Sequence, residues 1–325
     1  MNLHVSALRR SAVSQTPPHP LSRFALDALE GLAQAQKKLS PKYFYDAAGS
    51  DLFEQITVLP EYYPTRTELG ILRDRGAEIA ALIPKGAALI EFGAGATTKA
   101  RLLLESGVIK AYVPVDISAE FLNAQAHALR TDFPQLQVHP LGADFTQRFA
   151  LPADVAELPK VGFFPGSTLG NFEPHDAAHF LRRAADILGR DAMMILGVDL
   201  EKDESVLHDA YNDSAGVTAK FNLNLLIRMN RELGADFDLS GFEHRAFYNR
   251  DWHRIEMHLA SLKRQSAMLC GRVIAFEKGE TIHTENSYKY SLERFYALAA
   301  RSGWSPQRSW TDAKAMFSVH ALRAA

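Results

Sequence analysis

The sequence predicts an α/β fold in which helices cover a mostly parallel sheet and a smaller α+β region is inserted late in the chain. Five apolar runs of strand type alternate with helical spacing over residues 88–199. That alternation is typical of a parallel sheet with helices on both faces. Beyond residue 201 a helical region gives way to runs of alternating polarity, which indicate antiparallel strands with one solvated face.

The chain before the first strand divides into four stretches. Residues 1–20 end in a proline-rich run, for which we expect an extended or frayed chain. Residues 21–38 carry apolar side chains at helical spacing and predict one amphipathic helix. Residues 41–68 are rich in tyrosine and phenylalanine and broken by proline and glycine, which indicates either a loop pinned to the core or the lid or wall of a pocket. Residues 67–82 predict a helix that leads to the first strand.

A strand at residues 88–92 breaks into a Gly-x-Gly turn, which is typical of a nucleotide cradle. Gly93 and Gly95 let a ligand approach the backbone, and the helix that follows offers free N–H groups. Thr98 stands where a dinucleotide fingerprint has its third glycine. Glu91 would repel a pyrophosphate but suits a ligand with a sulfonium and an ammonium group. The turn therefore favours S-adenosylmethionine over NAD.

Polar residues follow the later strands of the predicted sheet. These strands are residues 111–116, 137–141, 160–165 and 192–199, and helices are predicted at 99–106, 119–131 and 176–188. Asp116 ends the second strand at the spacing of a ribose ligand; alternatively it caps the next helix, although Ser118 can supply that cap. Asp144 follows the third strand, where an adenine amino group would lie. Gly166 and Asn171 follow the fourth strand and also point to the ligand.

The last third of the chain predicts a second region and a closing hairpin. Its elements are a helical region at 206–233, strands at 253–259 and 269–276, a helix at 292–300 and a hairpin at 305–310 and 316–321. The predicted division is an N-terminal extension and helix at 1–40, a core at 41–200, an inserted substrate-binding domain at 201–288 and a return to the core at 289–325. A seven-stranded sheet that ends in a reversed hairpin resembles the Rossmann-like plan of class I methyltransferases.

Composition and charge exclude several classes of protein. A net charge of −2 and a pI near 6.6 give no basic patch for nucleic acid. Cys270 is the single cysteine, which excludes an intramolecular disulfide and indicates a reducing compartment. The N-terminal stretch lacks the apolar region of a signal peptide, and no run approaches the ~18 apolar residues of a membrane span. We expect a cytoplasmic protein that binds no membrane, no nucleic acid and no metal.

Specific segments carry a family resemblance. Glu-Tyr-Tyr-Pro-Thr-Arg-Thr-Glu stands at 61–68 and Gly-Ser-Thr-Leu-Gly-Asn at 166–171, and further motifs occupy residues 42–46, 49–53, 209–213, 216–222 and 230–233. Together these segments resemble the bacterial L-histidine Nα-methyltransferases of ergothioneine biosynthesis, from about residue 39 to the C-terminus. The resemblance implies a monomeric two-domain enzyme that moves three methyl groups from S-adenosylmethionine to the α-amino nitrogen of histidine, giving hercynine.

The resemblance also implies residue roles. For the cofactor it implies Gly93, Lys99, Asp116, Asp144 and Phe145, beside Glu91 and Gly95 of the glycine turn. For the substrate it implies Asn171 and Tyr211 at the carboxylate, Tyr62 and Gly166 near the amino group, and Tyr45, Glu285 and Ser287 at the imidazole ring. Asn171, Tyr211 and Tyr62 are the predicted catalytic residues, because methyl transfer depends mainly on positioning.

Glu285 and Ser287 favour histidine as the acceptor. A carboxylate and a hydroxyl can satisfy both imidazole nitrogens, whereas indole offers one donor and no acceptor. The alternative for this pair is a solvated strand face, and Met257 either packs beside the ring or belongs to the core. Three other functions stay open: N-methylation of another amino acid such as tryptophan, an NAD-dependent oxidoreductase, and an inert binding protein that kept the fold.

Overall fold

The structure, a computed structural model, describes residues 21–325, so the stretch predicted to be extended or frayed, residues 1–20, lies outside the described residues. The helices are α1 Arg23–Leu32, α2 Ala47–Thr57, α3 Tyr63–Asp74, α4 Gly76–Ala80, α5 Thr98–Leu104, α6 Ala119–Asp132, α7 Pro174–Leu188, α8 Glu204–Tyr211, α9 Val217–Leu233 and α10 Leu292–Arg301. The strands are β1 Lys37–Lys38, β2 Ala87–Phe92, β3 Ile109–Asp116, β4 Gln137–Val138, β5 Leu141–Gly142, β6 Lys160–Phe164, β7 Met193–Asp199, β8 Phe242–Asn249, β9 Arg254–Ser261, β10 Gln265–Leu269, β11 Arg272–Phe276, β12 Thr281–Tyr288, β13 Trp304–Thr311 and β14 Phe317–Ala324. Short 3₁₀ helices occupy Pro41–Phe44, Ala153–Val155, Thr168–Asn171 and Leu239–Gly241.

The large sheet has the strand order β13-β14-β7-β6-β2-β3-β4, and β5 also pairs with β3. Strands β2, β3, β6 and β7 are parallel, whereas β14 is antiparallel to both β7 and β13. Every residue of β2 and β7 is buried, as expected for parallel strands with helices on both faces. The predicted α/β fold, with seven strand positions and a reversed hairpin at one end, is confirmed.

The third predicted strand is shorter than expected. Residues 137–141 form two separate pieces, β4 and β5, on the same edge of β3. Pro140 lies between them, and its missing N–H interrupts the ladder of hydrogen bonds. The chain after β5 then carries Asp144 to the carboxyl edge of the sheet.

A second sheet has the order β1-β12-β9-β8, and β10 and β11 form a separate hairpin. The prediction of one strand over residues 269–276 was wrong, because Cys270 and Gly271 turn the chain with positive φ angles of 48° and 77°. The apolar residues continue across this turn, so the run resembled a single strand. Strands β8 and β12 lie outside the predicted strand ranges.

The first helix is shorter than the predicted 21–38. It ends at Leu32, and Lys37 and Lys38 form β1, which pairs in parallel with β12. Gly31 packs against this strand: a Cβ atom at residue 31 would lie 2.2 Å from the carbonyl oxygen of Lys38. The close approach requires the chain to turn back soon after Leu32, which helical spacing alone does not reveal.

The aromatic stretch at residues 41–68 is mostly helical and is not an irregular loop. It contains one 3₁₀ helix, α2 and the start of α3. Asp46 caps α2 by accepting a hydrogen bond from the Gly49 amide at 2.7 Å. The helix predicted over 67–82 begins earlier, at Tyr63, and is interrupted at Arg75. The helical region predicted over 206–233 is likewise divided, into α8 and α9, with Gly216 at φ 67° between them.

A β-bulge in β12 decides which side chains face inward. His283 pairs with His258, and Glu285 pairs with Met257, so one residue is unpaired between them. His258 and Met257 are consecutive and face opposite sides of the sheet, and paired residues share a face. The bulge therefore places Glu285, and Ser287 two residues later, on the face of Met257 and away from His283.

Thr284, the unpaired residue of the bulge, is held by α9. Its buried hydroxyl lies 2.7 Å from Asn222 Oδ1 and 3.0 Å from the carbonyl oxygen of Met257. The Asn222 side-chain amide also donates to the carbonyl of His258 at 3.0 Å. One helix side chain thus binds both strands at the bulge.

We predict that Thr284→Val lowers the free energy of unfolding by about 1–3 kcal/mol, because a methyl group cannot donate to the buried Asn222 oxygen. Denaturant titration of purified protein measures the change. Thr284→Ser keeps the hydroxyl and is the matched control. Equal stability of the valine and serine variants would contradict this role of the hydroxyl.

Candidate active site

A cavity lies at the carboxyl ends of β6 and β7 and is closed on its other sides by α2, α3, α8, α9 and the second sheet. Its walls include all eight residues that the sequence predicted for the substrate: Tyr45, Tyr62, Gly166, Asn171, Tyr211, Met257, Glu285 and Ser287. Phe53 and Phe221 add apolar surface. The structure brings these residues together, while the role of each one stays a prediction.

A strained turn after β6 forms one wall. Gly166 and Ser167 have φ angles of 80° and 56°, a left-handed conformation that is uncommon for serine. The Gly166 amide donates to both carboxylate oxygens of Glu68, at 3.0 and 2.8 Å, and Ser167 Oγ accepts from the Asp199 amide at 2.9 Å. These bonds hold the turn so that Asn171, at the end of the following 3₁₀ helix, lines the cavity.

Three tyrosine hydroxyls of the cavity stay protonated near neutral pH. Burial is the main cause that raises the pKa values of Tyr45, Tyr62 and Tyr211 well above 10. The carboxylates of Glu285 and Asp116 raise the pKa of Tyr45 further. Neutral hydroxyls donate and accept hydrogen bonds, so these tyrosines do not act as phenolate bases.

Glu285 is an acid in an environment that opposes its charge. Its side chain is half-buried and faces the cavity. Burial raises the pKa of Glu285 to about 8, and the positive charge of Lys289 opposes that rise. The carboxyl is therefore mostly protonated at neutral pH, and a ligand that donates a hydrogen bond to it favours the ionised form.

Lys289 is a fully buried cation beside the cavity. Its ammonium nitrogen lies 2.8 Å from Asp199 Oδ2, 2.7 Å from Ser287 Oγ and 3.1 Å from the Tyr211 hydroxyl. Tyr211 and Ser287 also contact each other, with 2.7 Å between their oxygens. A buried charge thus joins two predicted substrate residues to the end of β7.

A second lysine shares Asp199 from the other side. Lys202 lies 2.6 Å from Asp199 Oδ1 and 2.7 Å from the hydroxyl of Tyr63, which itself donates to Asp199. Burial opposes the charge of Asp199, but Lys289 and Lys202 outweigh it and lower the pKa of Asp199. Burial lowers the pKa of Lys202 to about 8.

This network of Asp199, Lys289 and Lys202 was not predicted from the sequence. Asp199 ends a predicted strand at the ligand edge of the sheet, and Lys289 stands two residues after Ser287, which is the spacing of one strand face. The positions of Asp199 and Lys289 in the sequence could therefore have indicated that both residues lie near the site. Lysine is almost never fully buried, so composition gave no reason to place it inside.

The glycine turn after β2 leaves backbone accessible. Gly93 has φ 71°, and a Cβ atom there would lie 3.1 Å from the ring of Phe145. A Cβ atom at Gly95 would meet nothing within 4 Å among the described residues. Phe145 packs against further aromatic rings, including Phe164 at 5.8 Å between centroids. The turn and this ring form a cradle that a side chain at residue 93 would fill.

Two carboxylates lie at the same edge of the sheet. Asp116, at the end of β3, accepts a hydrogen bond from the Ser118 amide at 3.0 Å, and burial raises its pKa. Within residues 21–325, Ser118 occupies the cap position of α6 but its side chain makes no capping hydrogen bond, contrary to the expectation for this serine. Asp144 accepts from the Thr146 amide at 2.9 Å. Both residues lie where a ribose and a base would bind in this sheet topology.

Two other predicted cofactor residues already have protein partners. Glu91 is buried and accepts a hydrogen bond from the hydroxyl of Tyr112, and burial raises the pKa of Glu91 to about 7. Lys99 forms an ion pair with Glu68 at 2.6 Å. That Glu91 and Lys99 bind the cofactor stays a prediction.

Strand order, the open glycine turn and the acid after the second core strand together define a class I methyltransferase, and the cradle and its two carboxylates fit S-adenosylmethionine. The chain belongs to the histidine-specific, S-adenosylmethionine-dependent methyltransferase family, whose model matches residues 24–324. This match confirms the predicted resemblance, enzyme class and cofactor. It argues against the NAD-dependent oxidoreductase and the inert binding protein.

Named relatives agree with the family. The histidine N-alpha-methyltransferase of Mycolicibacterium smegmatis is 42% identical over 90% of this chain and 92% of its own length. The protein of that name from Mycobacterium tuberculosis is 39% identical over the same shares. Ergothioneine biosynthesis protein 1 of Neurospora crassa is 31% identical over 85% of this chain, which corresponds to 32% of that longer protein.

We predict that Glu285→Gln raises the free energy of unfolding at pH 8 by up to about 4–5 kcal/mol, the difference between the folded and unfolded pKa values converted to free energy. The pKa of Glu285 is about 8 in the folded protein, whereas an unfolded glutamate titrates near 4.3, so ionisation opposes folding increasingly as the pH rises between these values. At pH 4 the gain should disappear. Denaturant titrations at both pH values test this.

Glu277→Gln is the control for that experiment, because Glu277 is an exposed glutamate outside the cavity. It should change stability little at either pH. A glutamine at 285 that lowers stability at pH 8 would contradict an ionisation that opposes folding.

Proposed function

We propose that this chain transfers methyl groups from S-adenosylmethionine to the α-amino nitrogen of L-histidine, in three rounds that give hercynine, as a step of ergothioneine biosynthesis. The observation that carries the proposal is the one cavity that collects all eight predicted substrate residues at the carboxyl edge of the sheet that also carries the glycine cradle. The two mycobacterial relatives named histidine N-alpha-methyltransferase support it.

The polar side chains of the cavity suit the charged groups and the ring of histidine. Asn171 offers its side-chain amide to the substrate carboxylate, and Tyr211, whose hydroxyl hydrogen is donated to Ser287, lines the cavity with it. Tyr62 and Gly166 also line the cavity and are proposed for the amino group. Glu285 and Ser287 face the cavity from one strand. A carboxylate that accepts and a hydroxyl that donates match the N–H and the bare nitrogen of a neutral imidazole. Tyr45 and Met257 complete the ring pocket.

The protein's contribution to the reaction is positioning. When bound, S-adenosylmethionine supplies an electrophilic methyl group that a nitrogen lone pair attacks in line. Asn171 and Tyr211 at one end and Glu285 at the other fix the acceptor nitrogen, an effect that contributes roughly 7–11 kcal/mol in well-oriented systems. Tyr62 and Tyr211 stay protonated, so neither hydroxyl is the base that accepts the α-ammonium proton.

An acceptor panel tests the proposal. The purified enzyme is incubated with radiolabelled S-adenosylmethionine and each of histidine, tryptophan, tyrosine and phenylalanine, and products are identified by mass spectrometry. We expect histidine to be the preferred acceptor and its trimethylated form to dominate at completion. Preference for tryptophan would contradict histidine specificity, and accumulation of the monomethyl product would contradict a pocket built for three rounds.

The proposed role of Asp116 has its own test. Asp116→Asn keeps an oxygen for the Ser118 amide but removes the charge, so we predict about tenfold weaker S-adenosylmethionine binding, the loss of one charged hydrogen bond. Isothermal titration calorimetry measures the affinity. Asp176→Asn, on exposed α7 surface, is the control. Unchanged affinity in the Asp116 variant would show that Asp116 does not bind the cofactor and has only a structural role.

We further propose that residues 201–288 form an inserted substrate-binding domain, flanked by the core at 41–200 and 289–325 and preceded by the segment 1–40. Support comes from the bridge between Leu200 and Tyr290, which brings the start and the end of the insertion side by side. We also propose a monomer that works in the cytoplasm, in line with the single cysteine. No helix within residues 21–325 has the length and apolarity needed to cross a bilayer.

A further inference from the structure

Lys289 uses its whole hydrogen-bonding capacity inside the protein. An ammonium group carries three N–H hydrogens and accepts none. The three neighbours of the Lys289 nitrogen, Asp199 Oδ2, Ser287 Oγ and the Tyr211 oxygen, lie within 3.1 Å, and its side chain is fully buried. Both hydroxyl oxygens therefore receive a hydrogen bond from a cation that water does not reach.

The hydrogens of the two hydroxyls follow from this arrangement. Tyr211 donates to Ser287 at 2.7 Å, so Ser287 Oγ accepts from both Lys289 and Tyr211, and its two lone pairs are occupied. Of the two hydroxyl groups, only that of Ser287 then has a hydrogen free to donate to a ligand in the cavity. If Ser287 donated to Tyr211 instead, the free hydrogen would belong to Tyr211. In either case the pair presents the cavity with one hydroxyl hydrogen.

We propose that Lys289 is a positioning residue that fixes the Tyr211–Ser287 pair as a hydrogen-bond donor toward the substrate ring, and so makes the site select a ring with a bare acceptor nitrogen. The inference rests on the proposed function, because it concerns how histidine is recognised. Lys289 itself contacts the hydroxyls and Asp199, and it acts on the ring through Ser287.

Glu285 supplies the complementary half of this recognition. It stands two residues before Ser287 on the same face of β12, and its carboxylate accepts hydrogen bonds when ionised. A neutral imidazole has one N–H and one bare nitrogen, so it satisfies an acceptor and a donor at once. A ring without nitrogen leaves both protein groups unpaired in the closed cavity, which opposes its binding.

Lys202 is a matched control within the same network. It also forms an ion pair with Asp199, but its other partners are the Tyr63 hydroxyl and the carbonyl of Leu200. Replacing either lysine by methionine removes one cation from Asp199. Only the loss of Lys289 frees the two hydroxyl oxygens that face the substrate.

The experiment compares L-histidine with β-(2-thienyl)-L-alanine, whose five-membered ring has no nitrogen. Dissociation constants are measured by calorimetry for the wild type, Lys289→Met and Lys202→Met, each with S-adenosylhomocysteine present. We expect Lys289→Met to reduce the preference for histidine over the thienyl analogue by about three- to tenfold, the range for one hydrogen bond. Lys202→Met should keep the wild-type preference, and in turnover Lys289→Met should raise KM for histidine more than it lowers kcat.

Three outcomes separate the claims. A wild type without any preference for histidine over the thienyl analogue would overturn the proposed function. A wild type that prefers histidine, combined with an unchanged preference in Lys289→Met, would overturn only the role of Lys289. An equal loss of preference in Lys202→Met would show a general effect of the charge on Asp199 and would also overturn that role.

The loss of Lys289 alone leaves a buried carboxylate with one partner fewer and is expected to weaken folding. If Lys289→Met does not melt cooperatively, Asp199→Asn/Lys289→Met replaces it, because the double variant removes both charges of the pair. The same three- to tenfold loss of preference is expected of the double variant, and an unchanged preference there overturns the role of Lys289 as well.

Discussion

The ion pair between Asp199 and Lys289 connects the two sheets of the molecule. Asp199 is the last residue of β7, and Lys289 directly follows β12. The next residues, Leu200 and Tyr290, form a parallel β-bridge between these two segments. Two charges taken out of water are tolerated only when they are paired and hydrogen-bonded, so the sheets must meet in one register for this pair to form. Ser287 and Tyr211 are fixed by the same contact, and the geometry of the cavity therefore depends on it.

Much of the fold could be predicted from the sequence, because buried parallel strands and covering helices leave a regular apolar pattern. The glycine turn was also predicted, and so were eight of the residues that line the cavity, seven of them from motif resemblance and Met257 from the strand pattern. Missed features depend on tertiary pairing: the bulge at Thr284 forms only against β9, and Pro140 divides a strand that its apolar pattern leaves intact. Lys289 was missed because a lysine in an alternating strand looks like a solvated residue until its partners are known.

The site separates its charges by function. Asp199, with its two lysines, stays ionised and supports the scaffold, while Glu285 is kept close to neutrality by burial. The tyrosines between them remain uncharged. The cavity therefore combines neutral hydroxyl groups with an acid whose ionisation is disfavoured, and it carries no permanent charge at Glu285.

The isolated carboxyl of Glu285 has an evolutionary consequence. Because its ionisation opposes folding, a neutral residue of similar shape, such as glutamine, is expected to be tolerated by the fold, and the acid is then retained for binding the acceptor. Lys289 is in the opposite situation, since its loss removes one of the two cations that pair with the buried carboxylate of Asp199. Changes of acceptor within this family are therefore expected to begin at position 285, with Lys289 and Asp199 inherited unchanged.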